Sequence, residues 1–180
     1  MRGRPEPKQG PGIPGDSAPA GGSRRGVSRL PLPATQLSLK GRALRLLGTR
    51  EHSRAELERK LAPHEEEPGQ LARILDDLQA KGFIDERRVV DSVLHRRAPR
   101  LGAARVRQEL QAKGLPAPLI AEAVAALRDT ELQRAREVWQ RRFGSMPADA
   151  RERARQARFL LARGFGGDVV RKVFDASDNG

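Results

Sequence analysis

A chain of 180 residues with 37% hydrophobic but only 3% aromatic content can bury a core of Leu, Val and Ala, which suits helices better than a sheet. Its 35 Lys and Arg against 23 Asp and Glu give a formal net charge of +12, which favours a polyanionic partner. The absence of cysteine excludes disulfides, thiolate metal sites and Cys nucleophiles, and no apolar run approaches the roughly 20 residues of a membrane span.

Residues 1–38 hold 7 of the 13 prolines and 7 of the 18 glycines. Such a stretch cannot bury enough apolar surface to offset its ordering entropy, so a disordered tail is predicted. Its arginines flank no continuous hydrophobic segment, which argues against a secretory signal and for a cytoplasmic protein. From Leu39 onward the apolar spacing is helical. Ser53 and Glu56 form an S-x-x-E capping box ahead of a helix carrying Leu57 and Leu61. A proline-bracketed acidic loop, Pro63 to Pro68, follows, and then Leu71, Ile74, Leu75 and Leu78 at i, i+3, i+4, i+7.

One short phrase then recurs: Gln79-Ala80-Lys81-Gly82-Phe83, Gln111-Ala112-Lys113-Gly114-Leu115 and Leu161-Ala162-Arg163-Gly164-Phe165. Each copy reads as a helix C-terminus, with a basic residue facing the dipole, a left-handed glycine and an apolar residue folding back. Ile120 and Val124 lie as far past Gly114 as Val170 and Phe174 lie past Gly164, as duplicated modules require. Leu132, Ala135, Val138, Trp139 and Phe143 form one further apolar stripe, and Ala150, Ala154, Ala157 and Leu161 another, with Asp149 and Glu152 starting the latter helix. The expected fold is all-α: three tandem three-helix modules (39–82, 83–128 and 129–175) in an elongated, curved array, with a frayed end at 176–180.

The basic residues gather in the second and third modules, while Glu65-Glu66-Glu67, Asp76-Asp77 and Asp85-Glu86 place the acids in or beside the first. Arg151, Arg155 and Arg158 recur at i, i+4, i+7, a ridge whose members repel by a few tenths of a kcal/mol per pair unless an anion offsets them. Arginine suits that role, because its planar fork grips phosphate or carboxylate through two parallel hydrogen bonds. A solvated surface of no function is the plainer reading of the same charges, and it weighs equally with binding for Arg134 and Arg136. His52, His64 and His95 share no metal-ligand spacing, no phosphate loop or nucleophile motif occurs, and Trp139 reads as core. No catalysis, cofactor or metal is expected.

Gly82-Phe83-Ile84-Asp85-Glu86-Arg87, followed by Gly102-Ala103-Ala104-Arg105-Val106-Arg107-Gln108-Glu109-Leu110-Gln111-Ala112-Lys113-Gly114, resembles the signature of the bacterial RecX family. The segments His52 to Leu61 and Arg158 to Phe165 are similar to that family's first and third modules, so the resemblance spans about residues 39–174. Val89 stands where the family usually has an aromatic, and the tail before Leu39 has no counterpart. The resemblance implies a non-enzymatic, monomeric modulator of the RecA recombinase. Such a protein would lie in the groove of the RecA–DNA filament and depress ATPase, strand exchange and coprotease activity. Arg87, Arg97, Arg100, Arg105, Lys113, Arg151, Arg155, Arg158 and Arg163 are the residues expected to meet the filament and the phosphates of single- or double-stranded DNA. Two rival readings are a RecA-independent nucleic-acid-binding protein and a helical adaptor for another acidic protein.

Overall fold

The computed structural model describes residues 37–175, so both the expected disordered tail and the frayed end at 176–180 lie outside the described residues. Among these residues are nine α-helices and no strands: α1 Leu39–Leu47, α2 Arg54–Leu61, α3 Gln70–Ala80, α4 Glu86–Arg97, α5 Ala103–Ala112, α6 Ala117–Asp129, α7 Glu131–Arg142, α8 Ala150–Ala162 and α9 Gly167–Asp175. A single 3-10 turn, Ala62–His64, follows α2.

Helix starts follow local chemistry. At α2 the Ser53 hydroxyl accepts from the Glu56 amide while the Glu56 carboxylate accepts from the Ser53 amide, which closes the expected capping box. Asp85 caps α4 and Asp149 caps α8 in the same way from one side. The recurring phrase does form the expected C-terminal motif: the amides of Phe83, Leu115 and Phe165 reach back to the carbonyls of Leu78, Leu110 and Leu160 at 2.9, 3.4 and 3.3 Å. Its copies are not equivalent, however. Gly82 follows α3, the third helix of its group, whereas Gly114 and Gly164 follow the middle helices α5 and α8. In the first group the middle helix ends instead in the 3-10 turn carrying Pro63. The apolar closing residue is buried at Leu115 and Phe165, but Phe83 stays 49% exposed.

Three separate cores result. Leu39, Ala43, Leu57, Leu61, Leu71, Leu75, Leu78 and Ile84 pack among α1–α3. Val89, Val93, Val106, Leu110, Ile120 and Val124 centre the α4–α6 cluster. Ala135, Val138, Trp139, Leu160, Phe165, Val170, Val173 and Phe174 fill α7–α9. Trp139 is core, its ring edge-on to Phe174 and its indole N–H donating to Gln156 Oε1 at 2.7 Å. The α8 stripe is a correction: Ala150 and Ala154 are exposed and Leu161 is 48% exposed, while Gln156 and Leu160 face the core. Alanine is too small to direct a helix, and Leu160 with the Trp139-bound Gln156 sets its rotation instead.

Modules this small bury too little to be secure alone, so their joints matter. Both joints seat the C-terminal end of a middle helix on the N-terminal end of the preceding middle helix, but the donors to its carbonyls differ. They are backbone N–H groups of the α5 start at the second joint and side chains of the α2 segment at the first. At the second joint the Gly102 and Ala104 amides donate to the carbonyls of Arg163 and Gly164 at 2.9 and 3.2 Å. The Ala103 amide donates to Glu131 Oε1 at 2.9 Å. A side chain on Gly102 would collide with the Gly164 backbone. At the first joint the Ser53 hydroxyl donates to the Lys113 carbonyl, and Arg59 reaches the Ala112 carbonyl at 3.0 Å.

Candidate nucleoprotein interface

The nine cations singled out from sequence divide by what they touch. Arg100, Arg105, Arg151 and Arg158 are exposed and have no ion-pair partner among the described residues. Arg105 Nη1 donates to Gln108 at 3.1 Å, a neutral partner. Arg163 lies 3.6 Å from the centroid of the Phe159 ring, a contact that orients its guanidinium without cancelling its charge. Arg87, Arg97 and Arg155 make ion pairs with Glu122, Glu109 and Glu152 at 3.5, 2.8 and 3.4 Å. All three guanidiniums are at least half exposed, and pairs of that kind are worth about 0–1 kcal/mol, so a stronger anion can displace them.

Lys113 is different, being committed to a partner inside the molecule. Its side chain is 12% exposed and its Nζ lies 2.9 Å from Glu56 Oε1. Burial raises the Glu56 pKa, but hydrogen bonds from Arg50, Lys113 and the Ser53 amide outweigh it and bring the carboxyl down to about 2. The lysine thus holds the first joint together. Arg134, weighed from sequence as binding or solvated, is half-buried and hydrogen-bonded within the fold. It donates to the carbonyls of Ala98, Leu101 and Leu127 at 2.7 to 2.8 Å, filling acceptors at the ends of α4 and α6, and burial holds its pKa below the usual arginine value.

The acids of the first module are largely spent internally. Asp77 pairs with Lys40 and Lys81 at 2.7 and 2.6 Å, which lowers its pKa, and Asp76 meets Arg54 at 2.6 Å. In the third module Arg153 pairs with Asp175 at 3.2 Å and Arg155 with Glu152, whereas Arg141, Arg142, Arg151, Arg158 and Arg163 have no ion pair among the described residues. One groove of ≈ 360 Å³ is lined by Arg100, Val138, Arg141, Arg142, Phe159 and Arg163, with no carboxylate on its wall. Arg141 and Arg142 escaped individual notice in the sequence, because nothing about their spacing says that they face a residue 40 positions earlier. A larger groove of ≈ 690 Å³ along the second joint carries Arg107 and Arg128, but also Glu131 and Asp168. Among the described residues no group of three His, Cys, Asp or Glu is placed to hold a metal ion. No helix there is long and apolar enough to cross a membrane.

Comparison with known proteins points one way. Residues 40–78, 85–124 and 129–174 match the first, second and third three-helix domains of RecX. The regulatory protein RecX of Leptothrix cholodnii is 63% identical over 144 residues, covering 80% of this chain and 92% of that protein. The regulatory protein RecX of Ralstonia nicotianae is 48% identical over 147 residues, covering 82% and 92%. A crystal structure of RecX from Lactobacillus salivarius superposes with a TM-score of 0.67 at 16% identity, covering 79% of this chain and 96% of that one.

Proposed function

Because the chain belongs to the RecX family of regulatory proteins, we propose that it acts without catalysis, binding the RecA–DNA filament in its helical groove and depressing RecA ATPase, strand exchange and coprotease activity. It would thereby modulate recombination and repair in the cytoplasm, working as a monomer.

The observation that supports this reading most is the uneven neutralisation of charge. Lys40, Arg50, Arg54 and Lys81 of the first module are matched by neighbouring carboxylates, leaving Arg45 and Lys60 among its unpaired cations, whereas Arg100, Arg105, Arg151, Arg158 and Arg163 of the later modules all lack an acidic partner among the described residues. Unmatched arginines on rigid helices suit a surface of mixed acids and phosphates, where several weak pairs act together as one multivalent contact. Arg87, Arg97 and Arg155 can join by exchanging their exposed partners. RecA ATPase on single-stranded DNA, measured with the full chain added, tests the proposal. Inhibition at stoichiometric levels is expected, and an unchanged rate would refute it.

The rival of RecA-independent DNA coating draws on the acid-free arginine groove. Binding to naked DNA at near-physiological salt as tight as to RecA filaments would favour that rival.

A further inference from the structure

We propose that the groove lined by Arg100, Val138, Arg141, Arg142, Phe159 and Arg163 is a phosphate subsite for single-stranded nucleic acid. This rests on the function proposed above and names the part of the basic surface that meets the strand rather than protein.

Four guanidiniums from three segments converge there: the loop after α4, the end of α7 and the end of α8. Crowding four like charges opposes folding, and no acid on the wall relieves it. Three of the four are nevertheless held in place. Arg141 donates to the Pro99 carbonyl at 2.9 Å, Arg163 stacks 3.6 Å from the Phe159 centroid, and Arg142 sits 5.8 Å from the Phe143 centroid. Each contact fixes orientation and none neutralises, so part of the ordering entropy is already spent while the full charge remains available.

The shape favours a nucleic-acid strand. At ≈ 360 Å³ the groove is near the lower end of ligand pockets, about 300–1,000 Å³, which suits a single nucleotide unit of a passing strand. Phe159 and Val138 supply an apolar floor, and a guanidinium plane stacked on a ring is a surface on which bases also stack. A flexible single strand can lower its phosphates into a recess, whereas a duplex presents them on a stiff rod. An acidic peptide would also satisfy the charges, but its amides would find no side-chain acceptor on this wall.

The test uses the full chain and a fluorescein-labelled dT20, with anisotropy followed across a salt series. Arg100 and Arg142 are both exposed, so R100Q/R142Q is expected to keep the wild-type circular dichroism and melting curve. Losing two phosphate contacts should reduce the log–log salt slope by about 1.4 and weaken binding about 25-fold at 0.1 M salt. R100K/R142K should restore the slope. R45S/K60S, which removes the same charge from the first module, sets the background. A slope for R100Q/R142Q equal to that of R45S/K60S would overturn the proposal. So would unchanged dT20 binding with loss of RecA inhibition, which would assign the groove to an acidic protein surface. Weakened dT20 binding with RecA inhibition intact would support the subsite while separating it from the filament contact. Loss of dT20 binding in a protein that never inhibits RecA would still support the subsite and would sink only the regulator reading.

Discussion

Replacing Glu56 by glutamine keeps the shape of the first joint and removes its charge. The carboxylate receives Arg50 at 2.9 Å, Lys113 at 2.9 Å and the Ser53 amide at 3.1 Å, in a residue only 7% exposed. The folded pKa of about 2 lies below the ordinary 4.5, so the ionised form is favoured by folding. That interval corresponds to about 3 kcal/mol, fully present above pH 4.5 and lost as the pH falls through about 2. E56Q also strands the Lys113 ammonium, and breaking one side of a buried pair costs about 3–5 kcal/mol. The amide still accepts from Ser53, so about 3 kcal/mol is expected overall. Urea unfolding followed at 222 nm should show this loss at pH 7. The gap between wild type and E56Q should close as pH drops from 4.5 towards 2. K113M should cost less, because Arg50 still serves Glu56, and E56Q/K113M should recover at least about 1 kcal/mol relative to additivity. A loss below about 1 kcal/mol for E56Q, or a gap that stays constant down to pH 2.5, would refute the reasoning.

Four other outcomes follow from the same geometry. Charge reversal at Arg151, Arg155 and Arg158 should change the melting temperature little yet weaken cosedimentation with RecA filaments at least tenfold at 0.1 M salt; full retention would remove α8 from the interface. Gly164 has φ +83° and an added Cβ would lie 2.5 Å from the Arg105 amide nitrogen, so G164A should cost more than the 1–2 kcal/mol of left-handed strain alone, read by urea titration. Q156L leaves the Trp139 indole N–H without its 2.7 Å acceptor and should cost about 1–3 kcal/mol, with the fluorescence of this sole tryptophan shifting at the same denaturant concentration as the helix signal. R134M removes the donor to the Ala98 and Leu101 carbonyls and the shorter of two donors to Leu127, and should destabilise by about 2–3 kcal/mol without altering RecA inhibition; lost inhibition in a protein that remains folded would mean that Arg134 also meets the partner.

Features settled within a turn or two of chain were legible from the residues alone. Ser53 and Glu56 cap each other within four positions, and the three glycine phrases bond back within six residues. Features settled across a joint were not. Lys113 reads as one more exposed cation beside a helix end until Glu56, 57 positions earlier, is brought against it. Arg134 looks like surface until α4 and α6 present their carbonyls to it. The α8 rotation was misread because four small or single apolar positions gave a regular stripe, while the true anchor was a polar residue, Gln156, tied to the indole. The four-arginine groove was out of reach for the same reason, since its members come from segments roughly 20 to 60 positions apart.

The two joints are built of different materials, and they should not yield together. One is clamped by the carboxylate–ammonium contact of Glu56 and Lys113, which acid dissolves; the other is sewn by main-chain bonds at Gly102 and Ala104, which acid leaves alone. Helix α5 has no cap from its own N-cap residue, so it borrows its closure from the α8 carbonyls and the Glu131 carboxylate of α7, while α2 closes itself with Ser53. Hydrogen exchange as the pH falls through about 2 should therefore find the Gly102 and Ala104 amides still guarded after the seam at Ser53 has loosened, a molecule with one soft knuckle and one stiff one.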